Sequence, residues 1–98
     1  MSYATEVQKH KRLAILRHLA ECSEYTSNAS ILGDVLRGVG LVASRDQIVT
    51  ELTWLKEQAM VSLEDNGGFI VVTATQSGVE IASGITTHPG IQRPRARG

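Results

Sequence analysis

The stretch from Ser27 to Gly84 sets the tightest limit on what this chain can fold into. It reads as a helix, a short glycine turn, a second helix, a β-hairpin and a closing helical turn. The hairpin carries the strongest local signal. Val61-Ser62-Leu63 and Phe69-Ile70-Val71-Val72-Thr73 are β-prone runs on either side of Glu64-Asp65-Asn66-Gly67-Gly68. Asn and Gly accept the positive φ that a tight turn requires. A chain of 98 residues held to this order buries only a limited core.

The helices are legible from spacing and caps. Ser27 or Asn28 can cap a short helix carrying Ile31, Leu32, Val35 and Leu36. Gly38-Val39-Gly40 reads as its turn, with Leu41 and Val42 plugging the core beneath. Ser44 is a good N-cap, and Gln47 stands three residues later, as in a capping box. Ile48, Leu52, Leu55 and Ala59 then step at helical spacing, which predicts a helix from Arg45 to Gln58. Thr75 can cap a last short helix holding Val79, Ile81 and Ala82, which Gly84 ends. Ahead of all this, Val7, Leu13, Leu16, Leu19 and Ala20 mark a long first helix from about Thr5 to Glu24.

The 98 residues suit one domain, and 42% hydrophobic content is enough for a core. Residues 1–85 are expected to form it. From Ile85 onward the chain is Thr, Pro, Gly and Arg without periodicity, which predicts a disordered basic tail over residues 86–98. Charge is placed unevenly. Arg93, Arg95 and Arg97 fall in the last six residues, so residues 1–88 hold seven cations against ten carboxylates. No apolar run is long enough to span a membrane, and no charged-then-apolar export signal opens the chain. Cys22 is the single cysteine, so no internal disulfide can form. These features point to the cytoplasm.

Three local patterns carry a family resemblance. Ser44 to Leu55 looks like a recognition helix, Ala59-Met60-Val61 like the exit from such a helix into a wing strand, and Thr73-Ala74-Thr75-Gln76-Ser77-Gly78 like the Leu-Thr-x-x-Gly that follows a wing, with Ala74 in the leucine position. Over roughly residues 5–84 the chain resembles the winged helix-turn-helix superfamily, including ArsR-like and MarR-like bacterial regulators. It is also similar to small winged-helix proteins of Mu-like transposable phages and prophages. The resemblance implies a mainly α fold with a β-hairpin wing: a three-helix core, a two-stranded wing and a short C-terminal helix. It implies a DNA-binding regulator or DNA-processing accessory.

In that fold the second helix of the motif meets the major groove through its N-terminal residues. Ser44, Arg45, Gln47, Thr50 and Glu51 are the matching positions. Arg45 suits guanine, Gln47 adenine, and Ser44 a phosphate. Lys9 and Arg12 on the first helix, with Arg93, Arg95 and Arg97 in the tail, are candidate phosphate contacts. Against this, the helix from Arg45 is slightly acidic, and Glu64 and Asp65 place two carboxylates at the wing tip, where DNA would repel them. A winged helix that holds a protein partner instead is therefore the alternative. Tyr3, Val7, His10 and Ala14 form a strip on the first helix through which a homodimer could pair. His18 and Cys22 share a helix face, but two ligands do not complete a zinc site. No nucleophile motif or phosphate loop is present, so no catalysis, metal or cofactor is expected.

Overall fold

The computed structural model describes residues 2–95. Its elements are α1 (Tyr3–Glu21), a 3₁₀ turn (Ser23–Tyr25), β1 (Thr26–Asn28), α2 (Ala29–Gly38), α3 (Arg45–Glu57), β2 (Val61–Asn66), β3 (Phe69–Ala74) and α4 (Gln76–Ala82). Four helices pack with one antiparallel sheet of order β1-β3-β2, so the fold is mixed α and β. The sheet has three strands, where sequence reading placed a two-stranded hairpin. The third strand is Thr26–Asn28, which the sequence shows only as a polar break. It pairs with β3, Thr26 opposite Thr73 and Asn28 opposite Val71. The hydroxyls of Thr26 and Thr73 meet at 3.0 Å.

The long first helix starts and stops earlier than its apolar stripe suggests. Ser2 caps it by accepting from the Thr5 amide at 3.1 Å. At the other end Cys22 turns extended, and Glu24 and Tyr25 both adopt positive φ, 53° and 55°. Two consecutive left-handed residues reverse the chain and deliver Thr26 to the sheet. Asn28 then ends β1 and caps α2, accepting from the Ile31 amide at 2.9 Å.

The core lies between the helices and the inner face of β3. Ile15, Leu16 and Leu19 of α1, Leu32 and Leu36 of α2, Leu52 and Leu55 of α3, and Met60 and Val72 are its fully buried side chains. Along β3, Ile70, Val72 and Ala74 point inward while Phe69 and Val71 lie on the other face, as strand periodicity demands. The segment read as a disordered tail is described as far as Arg95, and its first part packs on the body. Ile91 is only 3% exposed, and the Gln92 amide donates to the Lys9 carbonyl at 3.2 Å. Arg97 lies outside the described residues.

α2 and α3 end in the same backbone motif with different residues at its key position. After α2, the amide of Leu41 donates to the Leu36 carbonyl and that of Gly40 to Arg37, with Gly40 at φ 78°. After α3, Met60 donates to Leu55 and Ala59 to Lys56, with Ala59 at φ 62°. Alanine carries a left-handed penalty of about 1–2 kcal/mol there, partly offset by glycine's larger unfolded-state entropy. Ala59→Gly is therefore expected to raise stability by about 0.5–1 kcal/mol, measured as a higher urea midpoint at unchanged slope.

Candidate nucleic-acid interface

α3 opens as its sequence dictates. The Ser44 hydroxyl accepts from the Gln47 amide at 3.2 Å, and Gln47 Oε1 accepts from the Ser44 amide at 2.9 Å, closing the capping box. Ser44, Arg45, Gln47 and Thr50 are exposed and gathered in the first turns of α3. Much of their hydrogen-bonding capacity is spent within the chain. The Thr50 hydroxyl donates to the Asp46 carbonyl at 2.9 Å. The Arg45 guanidinium donates to the Gly68 carbonyl in the β2–β3 turn, tying the start of α3 to the hairpin tip. That turn is itself stapled by Asp65, which accepts from the Gly68 amide at 2.7 Å.

Helical geometry decides what α3 shows to solvent. Ile48, Glu51, Leu52 and Leu55 are its buried face. At 3.6 residues per turn, the opposite ridge is Asp46, Thr50, Thr53 and Glu57, all exposed. Thr53, like Thr50, turns its hydroxyl proton back on the helix, to the Val49 carbonyl at 2.8 Å. The outward ridge thus offers two carboxylates and two hydroxyls that can only accept. Phosphates and most major-groove edges are acceptors and need donors. The flanking cations are Arg45 and Lys56, both on the side turned toward the hairpin by the same geometry.

Glu51 is the clearest departure from the sequence reading. Expected on the exposed face, it is 4% exposed and points at α1. Its two oxygens accept from Arg12 Nε at 2.6 Å and Gln8 Nε2 at 3.2 Å. Arg12, read as a phosphate contact, is committed here instead. Its side chain is 13% exposed. Beyond Glu51 it donates to the Gly90 carbonyl at 3.0 Å and lies 3.8 Å above the Trp54 ring. His88 meets the same ring edge-on at 5.3 Å. One guanidinium therefore joins α1, α3 and the segment after α4. Lys9 pairs with Glu6 at 3.7 Å and lines a surface groove with Arg93, away from the start of α3. Arg93 and Arg95 are exposed.

His18 Nε2 and Cys22 Sγ lie 3.4 Å apart on α1. Among the described residues no group of three His, Cys, Asp or Glu side chains is placed to hold a metal ion. Among them, too, no helix is long and apolar enough to cross a membrane.

Fold and surface together define the class, a small mixed α/β protein that presents one helix and one hairpin side by side to solvent. No protein-family model matches the chain. It is 42% identical to gp26 of Escherichia phage Mu over 87 residues, 89% of this chain and 90% of the phage protein. It is 38% identical to an uncharacterized protein of Haemophilus influenzae over 77 residues, 78% of this chain and 74% of that one. The chain belongs to the family of the Mu gp26 protein, and its origin is that of a phage or prophage.

Proposed function

We propose that the chain is a winged-helix module that works by holding a protein partner through α3 and the β2–β3 wing. The element order supports the fold reading, with β1 adding a third strand beside the wing. One observation carries the functional reading. The outward ridge of α3 ends in carboxylates at Asp46 and Glu57, its hydroxyl protons are spent, and the wing tip beside it adds Glu64 and Asp65. Such a face suits a basic protein segment and repels a phosphate backbone. In this reading the module acts in the host cytoplasm as a homodimer paired through α1, where Tyr3 is 85% exposed. It carries no catalytic role and no cofactor.

Double-stranded DNA is the second reading. It is favoured by the exposed Arg45 at the start of α3 and by Arg93, Arg95 and Arg97 near the end of the chain. A titration with random-sequence duplex DNA at about 50 and 200 mM salt separates the two, since each phosphate contact adds to the salt slope. It should be run with and without residues 93–98. A cut at residue 86 would also remove Ile91 and the Gly90 acceptor of Arg12, and so would test folding as well. The expected result is no binding at either salt. Binding that weakens steeply with salt overturns the protein reading. A photo-crosslinker at Thr53 in phage-bearing cells should give protein adducts; nucleic-acid adducts would favour DNA.

A further inference from the structure

Past α4 the chain folds back over the joint between α1 and α3 as a strap, from His88 to Arg93. The Ile91 amide closes its turn by donating to the His88 carbonyl at 3.1 Å. Ile91 is buried, the Gln92 amide donates to the Lys9 carbonyl, and the Gly90 carbonyl accepts from Arg12. Gly90 passes so close to Trp54 that a Cβ there would lie 2.7 Å from the indole. His88, at the head of the turn, is the part that can change state. Its Nδ1 accepts from the Gly90 amide at 2.9 Å, the bond to an amide two residues on that Asn or Asp makes in an Asx turn. Its Nε2 lies 3.3 Å from Gln58 Oε1, which can only accept. One form of the ring satisfies both contacts, the neutral imidazole with its proton on Nε2.

A proton on Nδ1 turns that acceptor into a second donor, aimed at the Gly90 N–H. The charged neighbours make the new cation unwelcome. From α1, Lys9 borders the groove in which His88 sits, and Arg12 shares the Trp54 ring with it. Arg93 borders the same groove from the strap. The carboxylates on the adjoining elements are engaged or turned away. Glu51 holds Arg12 and Gln8, Glu6 pairs with Lys9, Gln76 donates to Glu80 on α4, and Glu57 stands on the outward ridge of α3. Lys56 turns toward the hairpin. The docked strap therefore binds fewer protons than the released one. Docking is favoured above the interval in which histidine changes charge, about pH 5 to 8, and is lost as pH falls through it. We propose that residues 88–93 are a pH-gated strap, released from α1 and α3 when His88 gains a proton. Release uncovers Trp54 and the Arg12 guanidinium, and it puts Arg93 and Arg95 on an undocked segment. The device does not rest on the partner reading and stands whether or not that reading does.

The test is amide hydrogen exchange of the full chain at about pH 7.5 and about pH 5, on either side of histidine's change of charge. Rates are read as protection factors, so that the intrinsic pH dependence of exchange divides out. The Gln92 amide reports docking, because its acceptor is on α1, and the amides of Leu52 and Leu55 report the core. The expected result is a fall of about tenfold at Gln92 at the lower pH, the size of one hydrogen bond left unmade, with the core amides unchanged. His88→Asn sets an amide oxygen where Nδ1 sits and does not titrate, so Gln92 should stay protected at both pH values. His10 and His18 still titrate in that variant, which assigns the effect to His88. Gly90→Ala drives a Cβ into the Trp54 ring and should leave Gln92 weakly protected at both pH values. Equal protection of Gln92 at the two pH values in the parent chain overturns the proposal. So does a fall of the same size in His88→Asn, a loss of protection at both pH values in His88→Asn, or full protection in Gly90→Ala.

Discussion

Glu51→Ala is expected to destabilise the chain by about 3 kcal/mol, lowering Tm by roughly 15 °C for a domain of this size. The effect is large because the substitution strands a buried cation. Arg12 is held between Glu51, the Gly90 carbonyl and the Trp54 ring, and without the carboxylate its charge has no counterpart nearby. Attraction across the pair is not itself the main quantity, since desolvation offsets much of it. The double substitution Arg12→Met with Glu51→Leu should therefore recover more than half of the loss, since apolar side chains of similar size satisfy the same space. Chemical denaturation of the four species of that cycle measures both values. A cost below about 1 kcal/mol for Glu51→Ala would mean that the pair is solvated and does not join α1 to α3. The same logic warns against reading Glu51 variants as binding variants: a lost interaction with any partner would follow from lost folding.

The inward position of Glu51 was open to the sequence. It stands three residues after Ile48 and four before Leu55, on the stripe that Ile48, Leu52 and Leu55 define. Its charge points outward and its spacing points inward, and the spacing prevails because Arg12 and Gln8 are there to receive the carboxylate. The buried stem of Lys11 was legible in the same way, four residues from both Val7 and Ile15. Other features had no local signal. β1 is three polar residues whose partner lies forty-odd positions away, and pairing of that kind comes from tertiary assembly more than from propensity. The left-handed pair Glu24 and Tyr25 contains no glycine to announce it. Ile91 is one apolar side chain in a stretch without periodicity, so nothing in its neighbourhood separates a docked segment from a free tail. What the sequence did display well were the devices that are local by nature: the capping box at Ser44, the Asn66-Gly67-Gly68 turn, and the Thr75 cap with Gly84 at the far end of α4. The surface problem was also visible early. The carboxylates at Glu64 and Asp65 argue against a DNA grip from the sequence alone, and the ridge of α3 adds Asp46 and Glu57 to them.

Gly78→Ala and Gly38→Ala set the same substitution in two helices and should move stability in opposite directions. Helix propensity alone favours alanine in both, by up to about 1 kcal/mol. At Gly38, in the last turn of α2, an added Cβ meets nothing within 4 Å, so that gain should appear, reduced by fraying at the helix end. At Gly78 the Cβ would lie 2.2 Å from the Met60 carbonyl oxygen and 3.3 Å from Leu16. A backbone carbonyl cannot rotate away as a side-chain tip can, and this one also accepts from the Thr75 amide at 2.9 Å, the bond that seats the start of α4 against the head of β2. Relief of the clash requires α4 to lift, which weakens its packing on α1 and the Thr75 cap together. Overpacking of this kind costs about 3 kcal/mol, enough to outweigh the propensity gain several-fold. Thermal denaturation of the two variants against the parent chain measures the contrast. A stable Gly78→Ala would show that α4 can move off β2 without penalty, and the glycine four places after Ala74 would then need a reason other than close approach.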